Sequence, residues 1–388
     1  MDNMSRPDLY HRTDYASDMA KQLLHPSALQ LQVRSGVFLS GIRRIGKTTF
    51  LRQDLIPALE AMGALVVYVD LWVDRSKSPA VLVHEAVRTT LAQLATPGAG
   101  MLARFKGLNV GAAGFTFGFQ VDTVGKEGGA SLAQVFTELV DKVQTSVVLL
   151  VDEVQQSLGT EEGSNLLYGL KAARDAVNTR PGTPGYLLFV GTGSHKSLVT
   201  DMATRRSQPF AGAVSTAYEP LGPEFIRWKC EQLQSIAGVK LPAESVMWDG
   251  FVALGQRPEE LQNALIQLQT RPEPPDVAFP IICTTLASAA AEVELATLEN
   301  LGTLAQAIFD RIAQGNEAGE SGLFSAEALG RYAAQIGMAA DPPQVQNMMD
   351  RMIAANLIHR QSHGVYAVSD PFVRQVWRQR KALQIPAP

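Results

Sequence analysis

The nine residues Gly41-Ile42-Arg43-Arg44-Ile45-Gly46-Lys47-Thr48-Thr49 constrain this chain more than any other stretch. They fit G-x-x-x-x-G-K-[ST], the pattern of a loop that cradles phosphate. Gly41 and Gly46 let the backbone N–H groups approach phosphate oxygens closely. Lys47 reaches the β- and γ-phosphates, and the Thr48 hydroxyl is a ligand for Mg²⁺. Val37-Phe38-Leu39 before the loop is a short apolar strand, and from Thr48 the chain reads as a helix whose N-terminus faces the anion. Arg43 and Arg44 add positive charge to the loop, although either also fits a solvated surface position.

A second strand follows at Ala64–Asp70, apolar without alternation, as expected of a strand buried on both faces of a parallel sheet. Ser146-Val147-Val148-Leu149-Leu150-Val151-Asp152-Glu153 is a third such run and ends in two carboxylates. Open α/β sheets bind ligands at the C-terminal edge of their strands. Asp152 is therefore the candidate for the Mg²⁺ shell, and Glu153 for polarising an attacking water. Tyr186–Val190 runs into Gly191-Thr192-Gly193-Ser194, which places Thr192 and Ser194 as candidate sensors of the γ-phosphate. Capping of the next helix explains each of them equally well. Arg205 and Arg206 follow at a helix end, where an arginine finger and two solvated residues are level alternatives.

The remaining elements follow from pattern. A helix is expected over Asp14–Leu24, and another after the loop with a kink at Pro57 and a stop at Gly63. Residues 80–106 read as helical. Phe115, Phe117, Phe119 and Val121 alternate strictly after a glycine-rich turn, which predicts a hairpin over residues 108–124. It either covers its own domain, the favoured reading, or serves as a flap for a protein partner. From Pro220 the pattern is helical, with Arg257 at a Gly-Gln-Arg-Pro turn and a linker at Arg271–Pro275.

Beyond it an alanine-rich helix (Ile281–Leu298) precedes three helices, a hairpin and a last helix, the order of a winged helix-turn-helix. Gln344, Asn347 and Arg351 share an outer face of its third helix. From Pro343 to Pro388 six basic residues stand against two acidic ones, a local +4 in a chain of net −4. That balance points to duplex DNA contacted at phosphates, with a salt slope of about −3 to −5. Docking of a protein is the alternative.

Composition bounds the rest. The 388 residues, 46% hydrophobic and 19% charged, suffice for two or three domains. Cys230 and Cys283 have no metal-ligand spacing. The N-terminus lacks a signal-peptide pattern, and no apolar run approaches the ~18 residues of a membrane span, so none is expected. A cytoplasmic protein with no membrane contact is expected. No Asn-Lys-x-Asp occurs, which disfavours guanine specificity.

The loop from Gly41 to Thr49, the run Asp152-Glu153-Val154-Gln155 and Thr192-Gly193-Ser194 together resemble the archaeal-type AAA ATPases, P-loop proteins near the STAND and AAA+ groups. Leu221-Gly222-Pro223-Glu224 and Tyr366…Asp370-Pro371-Phe372 are similar as well, whereas residues 76–130 are not covered. The layout of core, lid and winged helix is also that of origin-recognition initiator ATPases. The resemblance implies an α/β fold: an AAA+-like P-loop core over residues 1–218, a helical lid over 219–299 and a winged-helix domain over 300–388. It further implies ATP and Mg²⁺ as cofactors, hydrolysis, nucleotide-dependent homo-oligomers, and Arg257 as a second sensor of nucleotide. Two functions remain open: an ATPase that binds DNA, and a signalling or defence switch whose C-terminal part binds protein. A degenerate scaffold is disfavoured, since Lys47, Thr48, Asp152 and Glu153 are all present.

Overall fold

A computed structural model describes residues 9–96, 115–158, 160–316, 319–362 and 364–383. The chain divides into two compact units, Met1–Gly41 with Lys47–Tyr218, and Ile42–Gly46 with Glu219–Pro388.

The first unit begins with α1 (Thr13–Leu24) and β1 (Val37–Ser40). After the loop, α2 (Lys47–Phe50) passes through a π-turn at Leu51–Leu55 into α3 (Ile56–Ala61). The π-turn is how the helix absorbs Pro57, whose ring lacks an N–H and crowds the carbonyl four residues back. Then come β2 (Leu65–Asp70), α4 (Pro79–Ala95), α5 (Leu132–Val143), β3 (Val147–Asp152), α6 (Glu161–Asn178), β4 (Leu187–Gly193), α7 (Lys196–Thr204) and β5 (Val214–Ala217). All five strands are parallel, in the order β2-β3-β4-β1-β5. With helices on both faces this is the P-loop NTPase architecture of the AAA+ type. Sheet and helices enclose one core containing Val67, Leu149, Phe189, Phe136, Leu91 and Leu170.

Two expectations change here. Helix α4 ends at Ala95, and the rest of the span expected to be helical, 97–106, lies outside the described residues. The hairpin expected over residues 108–124 has no strand in its described part: residues 115–120 are irregular and Val121–Thr123 is one 3₁₀ turn. Residues 108–114 lie outside the described residues. Phe115, Phe117, Phe119 and Val121 are half-buried and pack on the core of their own unit. The Gly118 N–H goes to the Glu138 carboxylate at 2.5 Å, not to a neighbouring strand. The alternation is therefore one of burial along an extended chain, without a ladder.

The second unit contains α8 (Pro223–Gln234), α9 (Glu244–Ala253), α10 (Pro258–Gln269) and α11 (Pro275–Leu301). They are followed by α12 (Thr303–Gln314), α13 (Ala326–Ile336), α14 (Pro342–Ala354), β6 (Ile358–Ser362), β7 (Val365–Val368) and α15 (Pro371–Leu383). Strands β6 and β7 form an antiparallel pair, which is compatible with the hairpin of a winged helix-turn-helix. Helix α11 starts six residues earlier than the alanine-rich pattern suggests and carries Pro280 inside it. By length and composition it passes as a membrane span, contrary to the expectation that no segment would. Its Phe279, Ile282 and Cys283 are buried where α9 and α10 pack, and Leu295 and Leu298 belong to the core with α12, α14 and α15.

Within this unit Arg44 pairs with Glu259 and Glu260 of α10, at 3.6 and 3.2 Å. The buried Arg257 pairs with Asp370 at the start of α15.

Candidate nucleotide site

Three parallel strands end together and set the site. The Gly41 N–H donates to the Gly193 carbonyl at 3.1 Å, so the loop leaves β1 still tied to β4. Gly46 has φ +92, a conformation that excludes a Cβ in practice, and Arg44 is also at positive φ, 66. Ile45 is fully buried and anchors the loop, whereas Arg43, Arg44 and Thr49 are exposed and Ile42 is half-buried. The buried Lys47 donates from Nζ to the carbonyl of Gly41 at 2.7 Å, across the mouth of the loop where phosphate oxygens are expected.

Asp152, the last residue of β3, is the hub. Its Oδ2 accepts the Thr48 hydroxyl at 2.6 Å and the Tyr68 hydroxyl at 3.4 Å. Its Oδ1 accepts the hydroxyl of Thr192 from the adjacent strand. Thr192 is fully buried, so its hydroxyl orients the carboxylate from below the sheet edge. Glu153 follows with φ 56, in the left-handed region, which costs a non-glycine residue about 1–2 kcal/mol. That turn throws its side chain sideways, where its Oε2 accepts the Ser194 hydroxyl at 3.0 Å and the side-chain N–H of Gln155. The structure thus brings together Lys47, Thr48, Asp152, Glu153, Thr192 and Ser194.

Arg205 caps the C-terminal end of α7 and lies 3.6 Å from Asp201, with Arg206 exposed beside it. Among the described residues, neither hydrogen-bonds or ion-pairs with the residues gathered around Asp152. Arg257 is held by Asp370, and its guanidinium lies 5.2 Å from the Phe372 ring.

Tyr68, Asp70 and Gln155 belong to this edge without having been assigned a role from sequence. Asp70 is the register partner of Asp152 on β2. Burial, and then the neighbouring carboxylates of Asp152 and Glu153, push its carboxyl above the ordinary value, against a hydrogen bond from the Trp72 N–H. Burial and the charge of Asp152 likewise push the Tyr68 phenol up, so Tyr68 keeps its proton and donates it to Asp152. An acidic residue closing an apolar strand was the available signal for Asp70, and β2 carries it in plain sight.

The site fits a divalent cation by the chemistry of its donors. Thr48 and Asp152 present hard oxygen ligands in mutual contact, the set that Mg²⁺ favours.

No family profile matches the chain, and no curated protein matches it in sequence. Solved structures do match in fold. A Walker-type ATPase of Pyrococcus abyssi superposes with a TM-score of 0.60 at 20% identity, covering 96% of this chain and 99% of that one. The ORC2 protein of Aeropyrum pernix does so with 0.52 at 15% identity in its ADPNP–ADP complexes, over 98% of both chains. In its ADP form the values are 0.54 and 12%, over 98% of this chain and 97% of that one. The chain has the fold of these proteins along nearly its whole length.

Proposed function

We propose that this protein binds ATP with Mg²⁺ and hydrolyses it. The observation that carries the reading is the meeting of Lys47, Thr48, Asp152 and Glu153 at one sheet edge, with Thr192 and Ser194 supporting the two carboxylates. In this reading Lys47 exchanges the Gly41 carbonyl for β- and γ-phosphate oxygens. The backbone N–H groups of Lys47 and Thr48, at the start of α2, face the same anion. Thr48 and Asp152 hold the metal ion, which when bound neutralises charge building up on the phosphates. Glu153 takes the attacking water by one carboxylate oxygen while Ser194 and Gln155 hold the other. A carboxylate in that position orients and polarises water, which an amide does poorly.

The test is turnover with and without Mg²⁺. Lys47→Ala should lose ATP binding. Glu153→Gln should keep binding and slow hydrolysis by about 10²–10⁴-fold, the usual worth of a general base. Wild-type turnover in Glu153→Gln would remove the role assigned to Glu153.

The C-terminal unit supports a nucleotide-controlled docking module, and its side chains narrow what it docks on. Arg374 and Arg378 donate to the carbonyls of Ala313 and Gly315 at the end of α12. Arg380 pairs with Glu292, and Lys381 lies over the Trp377 ring. Four of the six basic residues behind the local +4 are thus engaged inside the unit. Arg360 on β6 is exposed but also donates to the Tyr366 hydroxyl of its own unit, and Arg351 on α14 is exposed. This favours a protein partner over duplex DNA as the main target. Assembly of copies through Arg205 or Arg206 completes the proposal.

A further inference from the structure

Gln155 lies two residues beyond the carboxylate proposed to activate water. It is 6% exposed, and its amide reaches back to that carboxylate. Its Nε2 donates to Glu153 Oε2 and to the Ser194 hydroxyl oxygen at 3.3 Å, while Ser194 itself donates to the same Oε2 at 3.0 Å. The three groups close a ring of hydrogen bonds around one oxygen of Glu153.

The amide is fitted to this place at a cost. Its Oε1 is buried with no hydrogen-bond partner. An unsatisfied buried acceptor is retained in a folded protein only where something else requires the group. Gly193 makes the room: a Cβ there would stand 2.1 Å from Gln155 Oε1 and 2.6 Å from a methyl of Val199. Packing alone would be served better by methionine or leucine, which leave no orphaned carbonyl.

We infer that Gln155 is a positioning residue for Glu153: with Ser194 it pins Oε2 and leaves Oε1 to face the attacking water. This rests on the ATPase reading and adds to it. Because Ser194 directly follows β4, the strand paired with β3, the ring also links the end of that strand to the base. A shift of Ser194 on nucleotide binding moves the acceptor that Gln155 shares, and with it the carboxylate.

The test uses full-length protein with Gln155→Met, which keeps chain length and burial and removes both donors. Its kcat for ATP should fall about ten- to a hundredfold, the weight of one or two hydrogen bonds to a charged group. KM and the affinity for a non-hydrolysable ATP analogue should stay within twofold. In a Glu153→Gln background the same change should leave the residual rate unaltered, because the group it positions is gone. Gln155→Asn, which stays polar but draws the donor back by one methylene, should show the same loss and covers the case that the methionine variant folds poorly. A kcat within twofold of wild type in both variants overturns the inference. So does a further drop in the Glu153→Gln background, which marks a merely structural role. If Glu153→Gln slows hydrolysis while the Gln155 variants do not, the ATPase reading stands and this inference alone fails. A wild-type protein that binds ATP without hydrolysing it overturns both.

Discussion

Arg257 offers a sharp test, because the family resemblance implies a nucleotide role for it while the structure seats it on Asp370. The two side chains are 10% and 15% exposed, and Asp370 also accepts the N–H of Phe372 at 3.0 Å, which caps α15. Arg257→Ala leaves the Asp370 charge nearly buried and unpaired. Breaking a buried pair from one side costs about 3–5 kcal/mol, and the retained Phe372 hydrogen bond and residual exposure put this case near about 3 kcal/mol. Asp370→Ala strands Arg257 and removes a cap worth about 1 kcal/mol, so about 4 kcal/mol is expected. In the double variant no charge is left unpaired, and the coupling should be about 2–3 kcal/mol relative to the sum of the singles. Urea unfolding followed by tryptophan fluorescence is weighted towards the second unit, which holds Trp228, Trp248 and Trp377 against Trp72 in the first, and Trp377 of α15 donates to Asp310. ATP affinity is measured on the same proteins. Arg257→Ala with unchanged unfolding and a tenfold weaker ATP affinity would refute this reasoning and return the guanidinium to the nucleotide.

Three further outcomes are expected. If the C-terminal unit binds duplex DNA at all, log K should fall with log salt at a slope of about −2, from Arg351 and Arg360 alone, and a slope of −4 or steeper in electrophoretic shifts would show that the internal contacts open. Asp70→Asn should raise the melting temperature at neutral pH: its folded carboxyl titrates above the ordinary value of 3.8, so its charge weakens the fold as pH rises through the shifted value, and the gain should vanish in melts below pH 3.8. Arg205→Ala or Arg206→Ala should keep ATP binding and lose turnover, with partial recovery on mixing with Lys47→Ala; wild-type turnover per subunit that is independent of protein concentration would sink the finger.

Much of the first unit was legible because parallel strands buried on both faces leave continuous apolar runs. β2, β3 and β4 each show one; both carboxylates sit at the end of β3, and the loop follows the short apolar β1, where the fold requires them. β5 was not legible. Val214-Ser215-Thr216-Ala217 is a partly exposed edge strand, polar in half of its positions, and only its pairing with β1 marks it. Phe115 to Val121 misled in the opposite direction, since period-two burial is shared by a strand and by any extended chain laid over a core. The charge count gives number and not engagement. Composition records six basic residues near the C-terminus, and only the fold shows that Arg374 and Arg378 cap α12 while Arg380 pairs with Glu292.

The surroundings of Glu153 show where such reading stops and why. Its position after an apolar strand is a property of local sequence, but its orientation is not. The left-handed turn at Glu153 ends β3 abruptly and starts the 3₁₀ turn Val154–Ser157, which folds Gln155 back beneath it. Gly193, forty residues later, leaves the space that the amide fills, and Ser194 supplies the hydroxyl that closes the ring. None of these residues announces the others by spacing. A pattern that marks Asp152 and Glu153 therefore does not show which groups hold the Glu153 carboxylate, and those contacts form only once two strand ends lie side by side.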